Sequence, residues 1–98
     1  MRGLARIGDR TIGTCVCHVP PIQVGGTVVV GSPDVRTNGR NQARLGDTVL
    51  ADCGHRGTIV TASTTVFANQ KGVARLGDKT TGCYRATIIT ASPDVKTP

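Results

Sequence analysis

The chain contains no tryptophan and no glutamate, one phenylalanine, one tyrosine and few leucines. Without glutamate and with so little leucine, it lacks the residues that most favour helices, which argues against a helical bundle. No apolar stretch approaches the length of a membrane-spanning helix. The opening Met1-Arg2-Gly3-Leu4-Ala5-Arg6 has no apolar core of a secretory signal, so synthesis in the cytoplasm is expected, and any export must use another route. The shortage of aromatic rings also weighs against a groove for single-stranded nucleic acid, which needs stacking surfaces. What remains is Val, Ile and Thr, punctuated at short intervals by 13 Gly and 5 Pro. β-branched residues suit pleated strands, and Gly and Pro suit the turns between them. An all-β class follows. At 98 residues the chain makes one domain, with a modest core.

Acidic residues are scarce too: 12 Lys and Arg face 6 acidic side chains, for a net charge of +6. Such a balance suits an anionic partner or a solubilising surface. The basic residues are scattered rather than clustered, so a small zinc-stabilised nucleic-acid-binding module is the alternative reading and not the favoured one.

The pentapeptide Ala-Arg-(Ile/Leu)-Gly-Asp occurs at Ala5–Asp9, Ala43–Asp47 and Ala74–Asp78. A β-rich phrase follows each time, at Thr27–Val30, Thr58–Thr61 and Thr87–Thr90, and runs into a Ser-containing turn ending at Val35, Val66 and Val95. Three units result, roughly 1–38, 39–69 and 70–98, and threefold repetition predicts an internally pseudo-threefold object. Further strands are expected near Val35–Thr37, Thr65–Ala68 and Val95–Lys96. Asn38-Gly39 is a strong hairpin signal, and Asn69-Gln70-Lys71-Gly72 is its looser equivalent. The third unit lacks a return strand, and Leu4–Ile7 is the segment left over to supply it. The first unit carries extra residues that include Pro20-Pro21 and Gly25-Gly26, read as a surface loop with a sharp reversal. In each Gly-Asp pair, Gly supplies a positive-φ turn position and Asp accepts from the backbone N–H groups that follow. Arg6, Arg44 and Arg75 recur in one register, either pairing with those Asp residues or lining one face.

Every Cys and His lies a few residues beyond a Gly-Asp pair: Cys15, Cys17 and His18; Cys53 and His55; and Cys83. Repeat phase therefore carries all six to one end of the domain. In a reducing compartment four cysteines are expected as metal ligands rather than disulfides. Thiolates and imidazoles are the donors of a closed tetrahedral Zn²⁺ site. Such a site contributes on the order of 10 kcal/mol of apparent folding free energy. A catalytic Cys–His pair would need an orienting third group and a cleft, so no enzymatic activity and no small-molecule substrate are expected.

The three Ala-Arg-x-Gly-Asp copies, the ligands behind each, and the Gly-Ser-Pro-x-Val and Asn-Gly returns resemble the PAAR-repeat proteins. The naming motif is degenerate here, as Gly3-Leu4-Ala5-Arg6, Asn41-Gln42-Ala43-Arg44 and Gly72-Val73-Ala74-Arg75. The resemblance implies a small conical domain closed around an apical zinc site, with one Zn²⁺ per chain. It implies a structural tip that caps a trimeric β-helical spike, one tip per trimer, in a phage tail or type VI secretion machine. The tip would meet the target cell envelope transiently. The ligands it implies are His18, Cys53, His55 and Cys83, with Cys15 as the alternative in the first unit. Arg6, Arg44 and Arg75 would face the spike. No effector domain is expected beside the tip.

Overall fold

The Val-, Ile- and Thr-rich segments form strands throughout the computed structural model, which describes residues 2–92 and 95–97. In chain order these are β1 (Arg2–Gly3), β2 (Arg10–Cys15), β3 (Ile22–Val28), β4 (Arg36–Thr37), β5 (Arg40–Asn41), β6 (Thr48–Ala51), β7 (Arg56–Ile59), β8 (Phe67–Ala68), β9 (Lys71–Gly72), β10 (Thr80–Gly82), β11 (Tyr84–Ile88) and β12 (Lys96–Thr97). Among the described residues there is no helix. Pro93 and Asp94, expected as turn residues, lie outside the described set.

Six strands make one antiparallel sheet in the order β10-β7-β6-β3-β2-β11. The sheet curls until its edges meet. Lys79 bridges Thr87, Thr80 Oγ1 donates to the Tyr84 carbonyl at 2.8 Å, and the Ala86 N–H donates to Thr80 Oγ1 at 3.0 Å. The result is a nearly closed, barrel-like sheet in a body measuring 38 × 23 × 22 Å. Closure removes the bare edges that would otherwise invite pairing with another chain.

The Ala-Arg segments, Leu4–Ile7 among them, form no strands of their own. They meet in single bridges, Leu4 with Arg75, Arg6 with Gln42 and Arg44 with Val73. The reason is a ring. The Ala5 N–H donates to the Ala74 carbonyl, Ala74 to Ala43, and Ala43 back to Ala5, at 2.9, 2.9 and 3.0 Å. Three backbones converging this closely leave room only for methyl side chains, and all three alanines are wholly buried. Gln42 covers the ring, donating from Nε2 to the Ala5 and Ala43 carbonyls at 2.8 Å and accepting from Thr37 Oγ1 at 2.6 Å. Around the alanines pack Val28, Val49, Ile59, Tyr84 and Ile88.

The first two Gly-Asp turns lead into the hairpins β2–β3 and β6–β7, and the third into β10 and β11, the two edges of the sheet that meet at the Lys79–Thr87 bridge. β3, β7 and β11 begin earlier than the sequence suggests and end at Val28, Ile59 and Ile88, so only the first two residues of Thr27–Val30, Thr58–Thr61 and Thr87–Thr90 lie within them. The largest difference is in the first unit. Gly25 and Gly26 do not reverse the chain; they sit inside β3, paired with Ile12 and Thr11. A β-carbon on Gly26 would stand 2.6 Å from a Tyr84 ring carbon and 2.8 Å from the Leu50 carbonyl oxygen. The glycine makes room for the buried tyrosine. Three two-stranded ribbons complete the fold: β4–β5, β8–β9 and β12–β1. The turns of the first two hold Asn38, Gly39, Asn69 and Gln70 at positive φ. In the third, Arg2 pairs with Thr97 and Gly3 with Lys96, so the return comes from the N-terminal end but from Arg2–Gly3, not from the expected Leu4–Ile7.

Candidate metal centre at the hairpin tips

The three hairpins turn over at residues 16–21, 52–55 and the single residue Cys83. Their lengths differ, but β2–β3 and β6–β7 are antiparallel pairs of one curled sheet whose edges are β10 and β11, which carries the three tips to one end. In the second tip Gly54 adopts φ +94°, a conformation that L side chains rarely adopt. The Gly54 N–H closes the turn on the Ala51 carbonyl at 2.9 Å, and the Asp52 N–H ties the tip to Gly25 of β3 at 2.8 Å. Cys53 and His55 flank this glycine. Cys15 ends β2, opposite Ile22 and Tyr84 on its two neighbours, and is fully buried.

The donor atoms of Cys15, His18, Cys53 and His55 lie within 4.8 Å of one another. Cys15 Sγ is 3.0 Å and Cys53 Sγ 3.7 Å from His55 Nδ1. The two imidazoles meet edge to face, with centroids 4.7 Å apart. His18 Nε2 is buried without a hydrogen-bond partner. Burial pushes the Cys15 thiol upward, and the hydrogen bond with Cys53 adds to the shift. Each of these costs disappears if a cation occupies the centre: it favours the thiolate and gives the orphaned nitrogen a partner. Donors of a tetrahedral two-sulfur, two-nitrogen site stand about 3.3–3.8 Å apart, and an ion would draw these atoms, now within 4.8 Å of one another, to that spacing. The cluster therefore fits a metal ion.

Cys83 is not part of it. The thiol expected as the third-unit ligand is bonded to Cys17 in a disulfide, with Cα atoms 5.1 Å apart. Register explains the change. Tyr84 lies opposite Cys15, and the Val16 N–H donates to the Cys83 carbonyl at 2.8 Å, so Cys83 faces the chain at Cys17. The first hairpin supplies two donors, Cys15 and His18, and the third supplies none. The expectation that cysteines serve as ligands rather than disulfides is corrected for this pair.

The three recurring arginines also go elsewhere than a docking face. Arg6, Arg44 and Arg75 each grip the Asp of their own unit, with Nε–Oδ2 distances of 2.9, 2.9 and 3.0 Å. The same carboxylates accept from the Arg backbone N–H at 2.8, 2.8 and 2.7 Å. The Asp thus reaches back three residues, not forward to the following amides. The guanidinium side chains are only 9%, 11% and 13% exposed. The Gly residues do take positive φ, at +90°, +88° and +87°, so the pentapeptide is a locked turn.

Comparison with protein families finds that the family model described as PAAR motif matches residues 20–81 and 53–97, two overlapping spans that cover most of the chain. No curated protein matches it.

Proposed function

The chain belongs to the PAAR-motif family, whose motif is associated with spike-tip proteins of contractile injection systems, and from that premise we propose that it is the structural tip of such a spike. The observation that carries the reading is the ring of Ala5, Ala74 and Ala43, each donating to the next. One chain wrapped three times about one axis offers three equivalent ribbons, β4–β5, β8–β9 and β12–β1, which suits a trimeric β-helical partner bound at one tip per trimer. In this reading the hairpin tips lie at the other end of that arrangement and form its point. The role is mechanical: sheath contraction drives the spike into a target envelope, and the tip concentrates the force. The body tapers as a pseudo-threefold cone, assembled at the spike of a phage tail or type VI secretion machine after cytoplasmic synthesis.

The metal in this reading is Zn²⁺, one per chain, held by Cys15, His18, Cys53 and His55. Two thiolates and two imidazoles complete a closed tetrahedron, so the ion supplies cross-linking rather than chemistry. The protein's own part is to hold the first and second tips together: the buried Cys15 anchors the site to β2, and the Gly54 turn presents Cys53 and His55 to it. The proposal is tested by isolating the tagged chain from its native cells and weighing the intact complexes. A species of one chain with three copies of a β-helical protein supports it. A chain recovered only free, or bound to nucleic acid in a salt-dependent manner, overturns it.

A further inference from the structure

The metal quartet joins the first hairpin tip to the second, and the disulfide joins the first to the third. All six soft donors of the chain thus lie on three adjoining tips, yet two of them are withheld from the metal by a bond between themselves. We infer that Cys17 and Cys83 are a redox-gated donor pair of the metal centre: oxidised, they confine it to two thiolates and two imidazoles, and reduced, they join it. This rests on the reading that the quartet holds a metal. The geometry supports the second half of the switch. Cys17 lies between the ligands Cys15 and His18, and Cys83 adjoins Tyr84, the residue opposite Cys15 in the sheet. Residues opposite one another on paired strands have Cα atoms about 4.5–5.5 Å apart, so Cys83 is a short step from the site. Cys17 is exposed, so a reductant can reach the bond.

A dithiol reductant opens the bond by exchange. Its two sulfurs form their own disulfide, and the two electrons and two protons pass to Cys17 and Cys83, which become thiols. On binding metal each thiol releases its proton to solvent. A thiolate is a softer donor than the imidazole it displaces, and the chain's net charge of +6 favours the added negative charge. His18 is the first ligand to give way, because it sits on the longest tip, and a fourth thiolate would displace His55 in turn.

Cobalt(II) reports the change, since its thiolate charge-transfer absorption grows with each sulfur bound. The full chain is loaded with cobalt while oxidised and then treated with a phosphine reductant, which does not chelate the ion as a dithiol does. The absorption should rise roughly 1.5-fold or more, as two thiolates become three or four. The variant carrying Cys17→Ser and Cys83→Ser should bind cobalt with no rise. Cobalt bound with the same spectrum before and after reduction overturns the gating and leaves the quartet intact. Cobalt bound in neither state overturns the quartet itself, and the gating with it.

Discussion

Asp47→Ala tests whether the Ala-Arg-x-Gly-Asp pentapeptide works as a locked turn. Asp47 is 3% exposed and accepts three hydrogen bonds from Arg44: from the backbone N–H at 2.8 Å, Nε at 2.9 Å and Nη2 at 3.0 Å. Hydrogen bonds to a charged group contribute about 1.5–3 kcal/mol each, but these three share one carboxylate and do not add. Removing one partner of a buried ion pair costs about 3–5 kcal/mol, because the other is left uncompensated. Arg44 then has the Gly31 carbonyl at 3.4 Å and Asn69 Oδ1 at 3.2 Å, neither of them charged. A loss of about 3–5 kcal/mol is therefore expected, a large share of the roughly 5–15 kcal/mol typical of a domain. Urea unfolding at fixed metal concentration measures it. Asp52→Ala is the comparison, since Asp52 pairs with Arg10 at 2.9 Å but both side chains are about half exposed. Exposed pairs contribute little. Equal losses in the two variants would refute the reasoning, because burial and not pairing is what separates them.

Gly26→Ala places a methyl 2.6 Å from the Tyr84 ring and should cost about 1–3 kcal/mol by overpacking, read in the same urea titration. The Asp34 carboxyl is held below its ordinary range by hydrogen bonds from Asn69 and Ser32, and that of Asp52 by Arg10. A depressed folded value gives stability that is full above the unfolded value of about 3.9 and lost as pH falls through the folded one. Replacing both with Asn should therefore flatten the acid limb below about pH 4, and an unchanged limb counts against these bonds.

How far the sequence discloses this molecule depends on what each residue answers to. The hairpin at Asn38-Gly39 is legible because a two-residue turn with both φ values positive has few acceptable residues. Repeat phase alone points to an N-terminal return onto the last unit, but it places that strand at Leu4–Ile7, whereas Arg2–Gly3 is the segment that pairs with Lys96–Thr97. The strand role of Gly25-Gly26 was not legible, since it answers to Tyr84, almost 60 positions away. The pairing of Cys17 with Cys83 depends on which Cα atoms come within bridging distance, and that is set by the Tyr84–Cys15 register. Once it forms, the place of Cys83 among the donors falls to Cys15, which repeat phase had brought to the same tip as His18. The three arginines illustrate the opposite case. Their spacing to Asp allowed either pairing or display, and burial decides for pairing.

A metal joining the first two hairpin tips, at the cluster of Cys15, His18, Cys53 and His55, is the central proposal. X-ray absorption at the zinc edge of the oxidised chain, together with total metal analysis, tests it most directly. The predicted result is one zinc per chain, bound by two sulfurs at about 2.3 Å and two nitrogens at about 2.0–2.1 Å. Chain that folds with no bound metal, or zinc surrounded chiefly by oxygen, would contradict it.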